Sequence, residues 1–377
     1  MFLGSKMLSY ENIKAILQYL TVEKRSDICH RCPAIRTPDS QASLRMNSLQ
    51  FHPGCIIINH RMHQFSTFIC LRSEAETPHL STFWQKFEPC DVLENGRLDK
   101  ENQYTMVPGD VEIEFEEEDR QVIHLGYQGY VRKFVKYTVD DFGTQSNKTR
   151  YLKNVKIRNC LKSLANKSLG GRKIYVKHLK ISKTSGILRL PENLKIHAQN
   201  IQTHPNALNA ISSIINSNFP LESLTLETVL STESCLKTEI VRRAQLLRIL
   251  QIPLMINEDL LDLETPRIEI CDKKRVFSHE STYIFVEKWA NSGRKCGDYF
   301  LMMTRPCAMR ALGKRIKEEL VATMEELEII DPKDSSSVTV PCLSIAMNNP
   351  SLELIVYTTS SDSDEMLLNF CMEVMEK

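Results

Sequence analysis

An apolar-x-apolar pair recurs along the second half of this chain, and it constrains the fold more than any other feature. The pairs are Leu179/Ile181, Leu194/Ile196, Leu224/Leu226, Leu247/Ile249 and Ile268/Ile270, spaced 15 to 30 residues apart. Such pairs mark short strands with one buried face. Helical segments lie between several of them. Pro205 stands at a first helical position ahead of Leu208, Ile211, Ile214 and Ile215, and Asn257 to Leu263 follows the fourth pair. Ser281 to Asn291 carries Phe285 and Trp289 at i and i+4, with Gly293 as the expected C-cap. Tyr299 to Met303 is the next strand, and Pro306 opens a helix carrying Met309, Leu312, Ile316 and Leu320. Strands alternating with helices predict βαβ units on a parallel sheet. The spacing is that of leucine-rich repeats, without their full consensus; unrelated strands in an ordinary α/β domain are the alternative. Val338–Val340 and Leu352–Tyr357 flank a turn at Asn348-Asn349-Pro350, and a last helix is expected after the acidic stretch Ser360–Glu365.

The first half has a different pattern. Ile13, Ile16, Leu17 and Leu20 fall on one helical face, with Ser9 as N-cap. Thr21 caps a second helix through Val22, Arg25 and Ile28, which Pro33 and Pro38 are expected to end. Leu44–Phe51 and Cys55–Ile58 are strands around a His52-Pro53-Gly54 turn. Val111, Ile113 and Phe115 alternate with glutamates, and Tyr130 to Val139 is a further strand; Glu74 to Tyr104 shows no pattern and is expected to be a long loop. The expected fold is therefore α+β. A short helical hairpin (7–40) precedes a β-rich region (41–147) and a βα-repeat, leucine-rich-repeat-like region (148–377).

Charge narrows the function. Lys+Arg is 48 against Asp+Glu 47, so there is no bulk attraction to nucleic acid or anionic membrane. The charges are nonetheless segregated. Asp110 to Asp119 holds seven acidic residues, and Lys148 to His197 holds fourteen Lys/Arg against Glu192 alone. Such blocks are solvated faces, or complement each other within the fold. No apolar run reaches the ~18 residues of a membrane helix, and no secretory pattern opens the chain, so an intracellular protein, cytoplasmic or nuclear, is expected. The twelve cysteines are then mostly small buried hydrophobes. Cys29-His30-Arg31-Cys32 alone has ligand spacing, and a zinc site would need partners from His52, Cys55, His60 and His63. Two cysteines one turn apart at a helix end is the simpler reading, so no metal or cofactor is expected.

Catalytic motifs are missing. Gly170-Gly171 precedes a strand, the wrong order for a phosphate loop, and no nucleophile elbow, His-Glu-x-x-His or kinase set occurs. A non-enzymatic role is expected.

Leu8-Ser9-Tyr10-Glu11-Asn12-Ile13-Lys14-Ala15-Ile16-Leu17-Gln18-Tyr19-Leu20 resembles a divergent F-box. Gly170-Gly171-Arg172-Lys173-Ile174, Val176 to Ile181, and Leu188-Arg189-Leu190-Pro191-Glu192-Asn193-Leu194-Lys195 follow it, with Trp289, Gly293, Gly297, Tyr299 and Phe300 beyond. Together they resemble the nematode F-box C family, with its F-box-associated domain. The resemblance implies a substrate-recognition subunit of an SCF-type ubiquitin ligase. Leu8, Ile13, Ile16, Leu17 and Leu20 would bind a Skp-type adaptor, and the C-terminal region would present an unidentified target protein. The alternative is a stand-alone protein- or nucleic-acid-binding module, using the βα sheet or the basic segment 148–197. That reading predicts an exposed array of Lys153, Lys156, Arg158, Lys162 and Arg172.

Overall fold

The computed structural model describes residues 9–52, 54–71, 85–87, 105–113, 131–153, 155–182, 186–227, 233–252, 258–272, 277–330, 337–360 and 367–377. The fold is α+β. It divides into two compact units, residues 1–220 and 221–377. The boundary expected at 147/148 falls inside a strand of the first unit.

The first unit opens with α1 (Tyr10–Gln18) and α2 (Val22–Arg31). Ser9 and Thr21 cap them, each accepting a hydrogen bond from the amide three residues on. α2 stops at Arg31, just ahead of Pro33 as expected, but the helical region continues beyond it. Pro33 opens a 3₁₀ turn (Pro33–Ile35), and Pro38 sits in the first turn of a third helix, α3 (Arg36–Gln41). A first-turn proline surrenders only an amide that no helical carbonyl would have taken.

The sheet of this unit runs β10-β8-β1-β2-β3-β6-β7. The strands are β1 (Leu44–His52), β2 (Cys55–Ile58), β3 (Arg61–Leu71), β6 (Val131–Asp141), β7 (Ser146–Leu152), β8 (Ile174–Ile181) and β10 (Ile196–Thr203). A short β4 (Gln85–Phe87) pairs with β3, and β5 (Val111–Ile113) pairs separately with β9 (Gly186–Leu188). Gly54 takes φ 66° between β1 and β2, a turn conformation that disfavours a side chain. β1, β8 and β10 are parallel; β2, β3, β6 and β7 continue antiparallel. Helix α4 (Ile157–Leu169) covers β3 and β6 by packing Ile157, Leu161 and Leu164 on Phe65 and Val135. After β10 come a 3₁₀ turn (Pro205–Ala207) and α5 (Leu208–Ser212), which buries Leu208 and Ile211.

The second unit runs β11-β12-β13-β14-β18-β17-β16-β15. Four parallel strands come first: β11 (Leu221–Leu226), β12 (Ala244–Ile249), β13 (Arg267–Ile270) and β14 (Tyr299–Thr304). Short helices α6 (Glu233–Leu236), α7 (Glu239–Arg243) and α8 (Glu258–Leu261) connect them, with the longer α9 (His279–Ala290) before β14. Helix α10 (Pro306–Glu319) then leads to β15 (Thr323–Ile330), β16 (Ser337–Ala346), β17 (Leu352–Ser360) and β18 (Leu368–Glu376), all antiparallel.

The recurring pairs form rows across these sheets. In the second unit Leu224, Leu247, Ile268 and Phe300 share one row, and Leu226, Ile249, Ile270 and Met302 the next. In the first unit Leu49, Leu179 and Ile201 share one row, and Phe51, Ile181 and Thr203 the other. The second expected pair is therefore displaced. Ile196 begins β10 opposite Ile174 and Leu194 precedes it, while Ile201/Thr203 hold the ladder position. An apolar pair is diagnostic only at the end of the strand where the rows coincide, and Thr203 disguises that pair.

The C-terminal helix is a second correction. β18 inserts between β14 and β17, and Phe370, Met372 and Val374 are buried at period two. On its other face Cys371 joins Cys342, Ile355 and Tyr357 in a small core. A strand buried on both faces loses the alternation that would announce it. Gly293 does not cap α9 either: Asn291 does, at φ −91°. Leu8, Pro53, Phe115, the rest of the acidic block beyond Ile113, most of 74–104 and Ser361–Glu365 lie outside the described residues.

Candidate functional site

The N-terminal helices carry the expected docking stripe. α1 packs on α3, and α2 on α3 and β1. Leu17 is the inward anchor at 2% exposure. Ile13 and Leu20 are half-buried beside it. Ile16 faces solvent at 48%, and Tyr19, one turn on, at 90%. Tyr10 is also exposed. The stripe is thus divided: Leu17 belongs to the core, while Ile16 and Tyr19 form an open apolar ridge. Leu8 lies outside the described residues.

The ridge has a rigid base. Arg25 of α2 is 1% exposed. Its Nε donates to Asp39 Oδ1 at 2.7 Å, its Nη1 to the Ser43 carbonyl at 2.7 Å, and its Nη2 to the Asp39 and Ala42 carbonyls at 2.9 and 3.2 Å. Arg172, at the turn after α4, pairs with the other Asp39 oxygen at 2.8 Å. This network ties α2 and α3 to the start of β1.

A second surface lies on the exposed side of β1, β8 and β10. Strand register places Arg45, Tyr175 and His197 in one row. The Tyr175 and His197 rings stack at 4.5 Å, Phe219 meets His197 edge-on at 5.4 Å, and the Arg45 guanidinium lies 5.5 Å from the Tyr175 ring. Burial first, and Lys173 second, hold the His197 pKa below its usual value. Sequence reasoning missed this cluster, because its members are joined only by strand pairing. The expected basic array is broken. Lys162 binds Asp110, the Pro108 carbonyl and the Leu190 carbonyl, and Arg172 binds Asp39.

The segments that carried the family resemblance have structural roles. Asp110, whose carboxylate is fully buried, accepts from Arg189 at 2.5 Å and from Lys162 at 2.8 Å. Arg189 also donates to the Thr105 carbonyl at 2.7 Å. The first residue of the acidic block is therefore neutralised by the basic segment. Gly171 turns the chain at φ 70°. Trp289 and Phe300 meet at 5.7 Å in the core, with the Arg294 guanidinium 4.3 Å from the indole ring.

The proposed ligands do not converge. Among the described residues no group of three His, Cys, Asp or Glu is poised to hold a metal. Burial, then the Asp39 carboxylate, push the Cys29 thiol up, and burial pushes Cys55 up to about 12. His63 Nδ1 instead meets the Tyr137 hydroxyl at 2.8 Å. Burial, with Arg61 and Lys167 nearby, holds the His63 pKa down to about 4. The unfolded chain takes that proton near pH 6.5, and the folded one resists it until about pH 4. Stability should therefore fall as pH drops from 6.5 to 4, by up to about 3 kcal/mol. Urea titrations across this range should show a shallower slope for His63→Gln; an unchanged slope would place the effect elsewhere.

Residues 156–305 match a family described as "Domain of unknown function (DUF3557)". The match opens at α4 and closes just after β14, so it takes in every strand of the apolar ladder except β1. The N-terminal helices and β15 to β18 lie outside it. No curated protein and no solved structure matches the chain. No described helix is long and apolar enough to cross a membrane.

Proposed function

We propose that this chain is a non-catalytic protein-interaction subunit that docks through α1 onto a Skp-type adaptor and presents a target from its βα region. The observation that carries the reading is the Ile16–Tyr19 ridge, open to solvent on a helix anchored from behind by Leu17. An apolar ridge on a fixed helix suits a groove in a partner, and aromatic side chains are frequent energetic anchors of interfaces. The F-box resemblance of residues 8–20 supplies the partner class. The leucine-rich-repeat-like succession of strands and short helices supplies a second, broader surface for the target.

The test is capture of a purified Skp-type adaptor by the full-length chain. Ile16→Asp/Tyr19→Asp should weaken capture at least about tenfold with the fold retained by circular dichroism. Leu17→Asp would not serve, because that side chain is core. No capture by a well-folded parent would sink the reading. The stand-alone module would then stand, favoured by the Arg45–Tyr175–His197–Phe219 cluster.

A further inference from the structure

Each unit ends its sheet on a strand that pairs, among the described residues, on one side only: β7 in the first and β15 in the second. Open strand edges invite pairing with another chain. These two edges differ in sign. Exposed Lys148 and Arg150 stand two apart on one face of β7, and exposed Glu326 and Glu328 two apart on one face of β15. Two copies of β7 would repel each other, as would two of β15, so like edges are kept apart and unlike ones are not.

We infer that β7 of one copy of this chain pairs antiparallel with β15 of a second copy. In the register that sets Lys148 opposite Glu328, Arg150 falls opposite Glu326 and Leu152 opposite Met324. All three pairs lie on one face, because side chains alternate along a strand. Met324 is 58% exposed, an unusual position for a methionine at a free edge, and Leu152 would cover it. The faces agree as well. Leu152 packs with Phe65 and Val135 on the side that α4 covers. Met324 lies in one row with Leu343, Val356, Met372 and Phe300 on the side that α9 covers. Pairing in this register would set both helical layers on the same side of the joined strands. Each copy offers one edge of each sign, so the contact is heterologous.

Sedimentation velocity on the full-length chain tests this. The parent should self-associate, and less so in high salt. Lys148→Glu/Arg150→Glu and Glu326→Lys/Glu328→Lys should each weaken association about tenfold or more. An equimolar mixture of the two variants should restore it, since the reversed edges are again complementary. The Ile16→Asp/Tyr19→Asp chain should associate like the parent. A parent that stays monomeric at about 100 μM, where a contact of micromolar strength would saturate, overturns the inference. So does a mixture that does not associate, or loss of association in the α1 variant, which would place the self-contact on that helix.

Discussion

Arg25→Met is expected to lower the unfolding free energy by about 3–5 kcal/mol, the range for breaking a buried charged pair from one side. The substitution keeps an apolar stem of similar length and removes every donor. Asp39 would retain Arg172, but the carbonyls of Asp39, Ala42 and Ser43 would lose the guanidinium that satisfies them. Buried carbonyls without donors are costly, and those of Ala42 and Ser43 face that loss together, while the Asp39 carbonyl keeps the Ala42 amide at 3.2 Å. Arg25→Lys should recover little, because one ammonium cannot reproduce a planar fork that reaches four acceptors. Urea denaturation measures the loss, and hydrogen exchange locates it: residues 10–42 should open first. A change under about 1 kcal/mol, the scale of an exposed pair, would mean that water replaces the guanidinium. The prediction bears on function, because the network fixes the helix beneath the Ile16–Tyr19 ridge. An Arg25 variant should lose adaptor capture in proportion to the opening of these helices, whereas the ridge variant should lose it without opening.

Local signals in this sequence carried as far as local physics does. Ser9 and Thr21 cap the helices they were expected to cap, and β1, β2, β14 and α10 begin within a residue of their expected starts. Parallel pairing followed from the alternation of strands and helices. What local signals missed was set by partners distant in sequence. β18 forms because β14 and β17 leave a gap between them, and Phe370, Cys371 and Met372 are all buried there. Thr203 occupies a core row in place of an aliphatic residue, so the sequence alone puts the repeat at Leu194/Ile196. In the same way Ile16 was legible from helical spacing. The Tyr175–His197–Phe219 cluster, assembled across β8 and β10, was not. Nor could spacing show that Leu17 turns inward; that depends on α3, which the prolines concealed.

Asp110→Ala is expected to be as damaging as the loss of Arg25, at about 3–5 kcal/mol. Two cations converge on this carboxylate, and neither has water enough to replace it: Arg189 is 7% exposed at the side chain and Lys162 18%. Removing the anion leaves like charges facing each other in a poorly solvated site. The surrounding chain cannot relax away. Gly109 stands at φ 88° against Pro191 and Glu192, where an added Cβ would come within 2.5 Å of their backbone. The Leu190 carbonyl is held by Lys162, and the Thr105 carbonyl by Arg189. These contacts join residues 105–113 to α4 and to the segment after β9. The Leu-Arg-Leu-Pro segment that carries much of the family resemblance is therefore a clasp. Asp110→Asn should be milder than Asp110→Ala, since its amide oxygen keeps an acceptor for one of the two cations, although its NH2 faces the other and neither charge is neutralised. Gly109→Ala should destabilise by at least about 1–3 kcal/mol, through backbone strain joined by a clash of the new Cβ with the Pro191 and Glu192 backbone, with no charge removed. Equal stability of parent and Asp110→Ala in urea would show that the clasp contributes nothing. The predicted order, with Ala at 110 worst and the Asn and Gly109 variants intermediate, separates charge from shape as the reason this motif holds the fold.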